Sequence, residues 1–446
     1  MTTPICDFIN KYVESKSHRL HMPGHKGVSF LGFEKFDITE IDGADALYQA
    51  NGIIEESEKN ATEIFGSGKT AYSCEGSSLS VRAMLYLAKA YYINKGSKNK
   101  PYVLATRNAH SSFISAAALV DFDVEWLYPD ESNYISGKIS TEKIKKCLSS
   151  VDNLPFAVYI TSPDYLGNIC DIKSISEVCK SFDIPLLVDN AHGAYLKFLK
   201  ESKHPIDLGA TMCCDSAHKT LSVLTGGGYL HVAKDAPAFF SENLKAALAL
   251  FGSTSPSYLI LASLDNANKY LTNGYFEKLQ SFSERLASFK AIINSLGYKT
   301  IGDEVLKITI SAKSYGYTGY ELYNELKRYD IVPEMSDPDY VVLMLSPNDE
   351  ESLSALEATL KSIPKKSQKS DTPPSIFFGE RVISIRDSYF LPRKEIDISN
   401  AEGEVLALST ITCPPAVSIA VAGEKMAKET IELCKYYGIK KCYVIK

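Results

Sequence analysis

Pro185-Leu186-Leu187-Val188-Asp189-Asn190-Ala191-His192 and, further along, Ser216-Ala217-His218-Lys219-Thr220 are the stretches whose reading decides the fold. The first is a short apolar run closed by an acid, the pattern of a buried strand that ends at a sheet edge. The second follows the apolar-to-polar run Leu208-Gly209-Ala210-Thr211-Met212 and precedes Thr225-Gly226-Gly227-Gly228. An acid ending one strand and a lysine beyond the next meet across the edge of a parallel sheet. Such a pair suits pyridoxal phosphate (PLP). The lysine amine forms a Schiff base, and the carboxylate keeps the pyridine nitrogen protonated.

Outward from this pair, short apolar runs alternate with helical stretches. The runs are Tyr102-Val103-Leu104-Ala105, Val124-Glu125-Trp126-Leu127, Phe156-Ala157-Val158-Tyr159-Ile160 and Tyr229-Leu230-His231-Val232. Apolar positions Ile53, Ile54, Ala61, Ile64 and Phe65 predict a helix from about residue 53 to 65, and a strongly apolar helix follows Gly76. Alternation of this kind predicts an α/β fold with a mainly parallel sheet covered by helices. Beyond about residue 270 a long polar helix leads to shorter strands, which predicts a smaller C-terminal α/β domain. The expected organisation is an N-terminal segment (1–35), a large cofactor-binding domain (36–272) and a C-terminal α+β domain (273–446). The polar, proline-bearing stretch 364–374 is read as a mobile linker.

A chain of 446 residues is long enough for two or three domains. Its net charge of −6 lends no support to a nucleic-acid or anionic-membrane partner, both of which favour a concentrated basic face. No stretch has the apolar length of a membrane span, and the N-terminus lacks the pattern of a signal peptide. The ten cysteines have no CxxC or metal-finger spacing, so they read as reduced thiols of a cytoplasmic enzyme, and no metal is expected.

Each motif has an ordinary alternative. Lys219 alone would be a surface lysine; His218, Ser216 and the glycine run single it out. Asp189 alone would as readily be a helix cap, and its pairing with Lys219 separates the two readings. Gly76-Ser77-Ser78 opens an apolar helix and offers free N–H groups, two hydroxyls and the positive end of the helix dipole to a phosphate, or else forms a plain serine cap. Gly66-Ser67-Gly68-Lys69-Thr70 resembles a nucleotide loop, but Glu63 stands where that pattern requires glycine. His110 follows a strand, where an imidazole can lie flat on an aromatic ring. Phe251 to Tyr258 is a hydroxyl-rich turn that serves as a cap or as a second source of phosphate ligands.

In order along the chain, these pieces resemble the Orn/Lys/Arg decarboxylase family, PLP enzymes of the aspartate aminotransferase fold. The likeness runs from about Leu20 to Glu424. It rests on His21-Met22-Pro23-Gly24-His25-Lys26-Gly27, Asp37-Ile38-Thr39-Glu40, Arg107-Asn108-Ala109-His110, Asp189-Asn190-Ala191-His192, Ser216-Ala217-His218-Lys219, Ser253-Thr254-Ser255-Pro256 and Pro414-Pro415. It is to the short form of the family, without an N-terminal wing domain.

The resemblance implies α-decarboxylation of arginine or lysine, with ornithine as a further candidate, by a homodimer with shared sites. It implies that Lys219 carries the cofactor, Asp189 binds its ring nitrogen and His110 stacks on the ring. Gly76, Ser77, Ser78 and Ser216 would hold the phosphate. Ala191 and His192 would border the cofactor, His218 would lie beside Lys219, and Thr254 and Ser255 would reach the neighbouring subunit's phosphate. Selection of a distal cation would need an acid, with Glu40, Asp42 and Asp45 as candidates. Cys413 and Ala416 stand where the family usually has tyrosine and glycine, which leaves the substrate more open than the cofactor. The alternative within PLP chemistry is an aminotransferase or another lyase. A transaminase would clamp the α-carboxylate with an arginine such as Arg381, Arg386 or Arg393.

Overall fold

A computed structural model describes residues 1–130, 137–408, 411–412 and 417–446. The chain divides into two compact units. Unit 1 takes Met1–Pro101, Val151–Ile160 and Ile172–Glu277; unit 2 takes Tyr102–Ser150, Thr161–Asp171 and Lys278–Lys446. The class is α/β, with a large, mainly parallel sheet and helices.

The first seven strands are β1 (Lys69–Ser73), β2 (Tyr102–Thr106), β3 (Asp123–Leu127), β4 (Ala157–Thr161), β5 (Leu186–Asp189), β6 (Met212–Asp215) and β7 (Gly228–Val232). In unit 1 the strands lie side by side in the order β1-β7-β6-β5-β4. β5 and β6 run parallel, with Asp189 opposite Cys214. β7 is antiparallel to both β6 and β1. Every residue of β5, β6 and β7 is buried, as their near-continuous apolar character requires when helices cover a sheet.

The helix Gly76–Asn94 packs on β1, β5, β6 and β7. The helix Ile53–Phe65 has the extent its apolar periodicity predicts. It buries Ile54, Ser57, Glu58, Ala61 and Phe65, and ends at Gly66, whose φ of +65° closes the last turn.

In unit 2, β2 and β3 pair in parallel, with Ala105 opposite Trp126. A four-stranded antiparallel sheet joins β8 (Lys299–Ile301), β9 (Lys307–Ser311), β10 (Met335–Ser336) and β11 (Tyr340–Met344) in the order β10-β11-β9-β8. The C-terminal helix Lys428–Tyr436 and the strand Lys441–Ile445 close a core that includes Val342, Leu406, Ile419, Leu433 and Val444. The stretch 364–374 carries no helix or strand, and Lys313 binds Asp371 at 2.7 Å.

Asp337 turns the chain into β11, and its Oδ1 accepts the N–H groups of Asp339 (2.7 Å) and Tyr340 (2.6 Å). Burial pushes its carboxyl up to about 7 against those two donors, and the nearby Asp339 charge adds to the rise. The folded chain therefore binds a proton here that the unfolded chain releases near pH ~4. Wild-type stability should fall as pH rises from there to about 7. Asp337→Asn keeps the acceptor and removes the titration. The variant should match the wild type near pH 4 and exceed it by about 4 kcal/mol at pH 8. Urea unfolding across that range measures the difference; one that stays constant with pH contradicts the assignment.

Candidate active site

The carboxyl ends of β5 and β6 gather the residues singled out above. Asp189 ends β5 and is 2% exposed, so its charge must be met by protein groups or a ligand. Tyr159, fully buried on β4, donates its hydroxyl to Asp189 Oδ2 at 2.9 Å. On the other oxygen, Oδ1 accepts from the Ala191 N–H at 3.3 Å and from the Cys214 thiol at 3.6 Å. The carboxylate is thus oriented by three donors, all of them neutral.

Lys219 follows from the end of β6. Ser216 leads into the four-residue helix Ala217–Thr220, in which the Lys219 N–H bonds to Ser216 O at 3.0 Å. The Lys219 Nζ lies 3.2 Å from His192 Nε2. Lys219 is exposed, more so than the desolvation of a reactive amine calls for. Its neighbour His218 is half-buried and bonds through Nδ1 to Gly227 O at 2.9 Å.

A tight turn completes the arrangement in unit 1. Gly76 takes φ +64°, bonds by its N–H to Gly226 O at 2.6 Å, and comes so close to His218 that a Cβ there would meet the His218 ring at 3.4 Å. Ser216 donates to the Ser77 hydroxyl at 2.9 Å, which joins the turn to the segment bearing Lys219. Ser78 is half-buried on the same first helical turn. The start of β7 runs equally close: a Cβ on Gly228 would sit 2.8 Å from Asp215 O and 3.1 Å from the Gly76 carbonyl carbon. Only glycine leaves this cradle open.

The remaining candidates have contacts of their own. The turn bearing Thr254 and Ser255 is exposed, and Ser253 N bonds Glu75 Oε1 at 2.8 Å, tying the turn to the residue before Gly76. His110 belongs to unit 2, where it caps the helix Ser111–Val120 by accepting the Ser112 N–H at 3.2 Å. Asp45 spends its carboxylate on the N–H groups of Ala46, Asn51, Gly52, Ile54 and Glu55 at the start of a helix, which leaves Glu40 and Asp42 as the exposed acids of that segment. Arg381 and Arg386 each donate to a backbone carbonyl of unit 2, those of Val124 and Ala118. Cys413 and Ala416, with Pro414 and Pro415, lie outside the described residues.

Sequence reasoning missed a fully buried cluster directly behind the site. Asp215 Oδ2 accepts from His204 Nε2 at 3.0 Å and from His231 Nε2 at 3.2 Å, while Oδ1 accepts from Asn190 Nδ2 at 2.7 Å. Although these groups converge as metal ligands could, both imidazoles stand at hydrogen-bond distance from one carboxylate oxygen. Burial raises the Asp215 carboxyl, and the two imidazoles outweigh it, holding the group well below the usual carboxylate range. The signal for His231 was a histidine inside an apolar strand run. His204 comes from a loop, which carries no periodicity to reveal it.

Several similarities bear on this geometry. The model of the Orn/Lys/Arg decarboxylase family, major domain, matches residues 3–307. The uncharacterized protein YaaO of Bacillus subtilis (strain 168) is 28% identical over 471 residues, covering 97% of this chain and 93% of that protein. An arginine decarboxylase of Halalkalibacterium halodurans is 28% identical over 464 residues, covering 96% and 92%. The structure of the constitutive lysine decarboxylase of E. coli superposes with a TM-score of 0.79 at 18% identity, over 100% of this chain and 82% of that one, which is a likeness of fold.

Proposed function

The chain belongs to the Orn/Lys/Arg decarboxylase family and is a decarboxylase of basic amino acids, and we propose that its substrate is arginine and its cofactor PLP, held at the ends of β5 and β6. The observation that carries the reading is the placement of Asp189 and Lys219 beyond adjacent parallel strands, beside a glycine-lined turn. Arginine is favoured over lysine because the relatives that match nearly the whole chain at 26–28% identity include several named arginine decarboxylase. The aminotransferase alternative is not favoured by the family.

The residues present fit PLP. Asp189 offers a buried carboxylate to the ring nitrogen, and Lys219 an amine to the carbonyl. Ser77, Ser78 and Ser216 offer hydroxyls to the phosphate, and the side-chain-free faces of Gly76 and Gly228 let backbone approach it. When bound, PLP supplies the electron sink that accepts the pair released as CO2 leaves.

The chain's own groups do the rest. Asp189 would bind the ring nitrogen and favour its protonated form. Lys219 would hold the cofactor through its amine when no substrate is bound. His192, 3.2 Å from the Lys219 Nζ, orients that amine. His218 or Lys219 returns a proton to Cα. The stacking role of His110 is a proposal from the resemblance, as are the phosphate roles of Thr254 and Ser255.

We read the active form as a homodimer. The loop from Leu20 to Phe33 supports this: Leu20, Phe30 and Leu31 are 94%, 79% and 75% exposed, a run of apolar surface that a second copy would cover. Incubation with arginine, lysine and ornithine in turn, with CO2 and amine measured, tests the substrate. Agmatine and CO2 from arginine, at a kcat/KM at least about tenfold above lysine, is the expected result. Equal or greater preference for lysine refutes it.

A further inference from the structure

Tyr159 has no part in the reading above, yet it makes the shortest contact to Asp189. It stands in the middle of β4, fully buried, with its phenol 2.9 Å from Asp189 Oδ2. An apolar residue would fill a buried strand position at lower cost, since a buried hydroxyl needs a partner to offset its desolvation. Here the partner is the carboxylate assigned to the ring nitrogen. We propose that Tyr159 is a positioning residue: its hydroxyl holds the Asp189 carboxylate in the orientation that meets the ring nitrogen. The inference rests on the reading of Asp189 as the ring-nitrogen partner.

The character of the donors carries the argument. Tyr159 Oη, Ala191 N and Cys214 Sγ are neutral, and together they engage both oxygens of Asp189. Because they are neutral, these three fix the carboxylate in a site that is 2% exposed without pairing it with a cation of their own. A protonated ring nitrogen would be such a cation. An arginine or lysine in the place of Tyr159 would cancel the charge. Loss of the phenol frees the carboxylate to turn. Its contact with the ring nitrogen would weaken, and the ring would withdraw electrons less strongly.

The test uses the full chain reconstituted with PLP labelled with 15N in the ring, as wild type, Tyr159→Phe and Cys214→Ala. The ring 15N resonance and kcat with the preferred substrate are followed from pH 6 to 9. In Tyr159→Phe the resonance should move toward the free-base position, and kcat should fall roughly tenfold, the effect of one hydrogen bond to a charged group. Cys214→Ala should move the resonance in the same direction by less, and decides the matter if Tyr159→Phe does not fold. A merely structural tyrosine would lower the melting temperature without moving the resonance. Wild-type resonance positions in the variants at every pH overturn the proposal. A wild-type protein that takes up no PLP refutes the site reading itself, a separate outcome.

Discussion

Lys219→Ala should abolish decarboxylation, lowering turnover by a factor on the order of 10³ or more, and should leave the fold intact. The two halves of this result have different causes. Lys219 is exposed on a four-residue helix, and truncating an exposed side chain changes stability by about 0.5 kcal/mol or less. Its amine, however, is the proposed covalent anchor, placed 3.2 Å from His192 and one residue from His218. Release of 14CO2 from carboxyl-labelled substrate measures the first half, and the melting temperature the second. Borohydride treatment of the wild type should fix the cofactor on the peptide containing Lys219. Retention of activity within tenfold of wild type would remove Lys219 from the mechanism.

Arg107→Ala should cost about 3–5 kcal/mol of stability, the penalty for leaving a buried partner charge alone. The guanidinium is 1% exposed and lies between the rings of Trp126 and Phe378, 5.1 and 5.2 Å from their centroids. It binds Glu424 through both Nη atoms, at 2.5 and 2.7 Å, and donates through Nε to Ser418 O at 3.3 Å. Glu424 also accepts the Val421 N–H at 2.9 Å, so the pair fastens the segment after β2 to the chain around residues 418–424 within unit 2. Removing Arg107 strands a carboxylate that is 2% exposed. Replacing both partners by apolar residues, Arg107→Met with Glu424→Leu, should cost less than the single change, because no lone charge remains. Urea midpoints for the two singles and the double measure this. A single substitution costing under about 1 kcal/mol would show that the pair contributes little.

The pair also marks where reading along the chain stops. Arg107 opens one motif of the family resemblance and Glu424 stands where the likeness ends, yet nothing along the chain tells that one binds the other. Their separation of 317 positions is bridged only by folding. The same holds for the acid candidates. Asp45 looked as available as Glu40 and Asp42, and only the folded chain shows its oxygens turned to five backbone N–H groups.

Local pattern determined a good deal by itself. Hydrophobic periodicity placed the helix Ile53–Phe65, and apolar runs placed β2, β3, β4, β5 and β7 to within a residue or two, because burial on both faces leaves a continuous apolar signature. Residue chemistry at strand ends singled out Asp189, Lys219 and the Gly76 turn, since a charged group or glycine beyond a buried strand is conspicuous against its surroundings. What tertiary structure decided is the set of partners. Tyr159 read as one more apolar strand residue until its hydroxyl was found on Asp189, and His204 had no pattern at all until Asp215 gathered it with His231. The physical reason is the same in each case. Periodicity records which face of an element is buried, whereas a hydrogen bond across the core depends on which strands become neighbours, and that is settled by the packing of the whole chain.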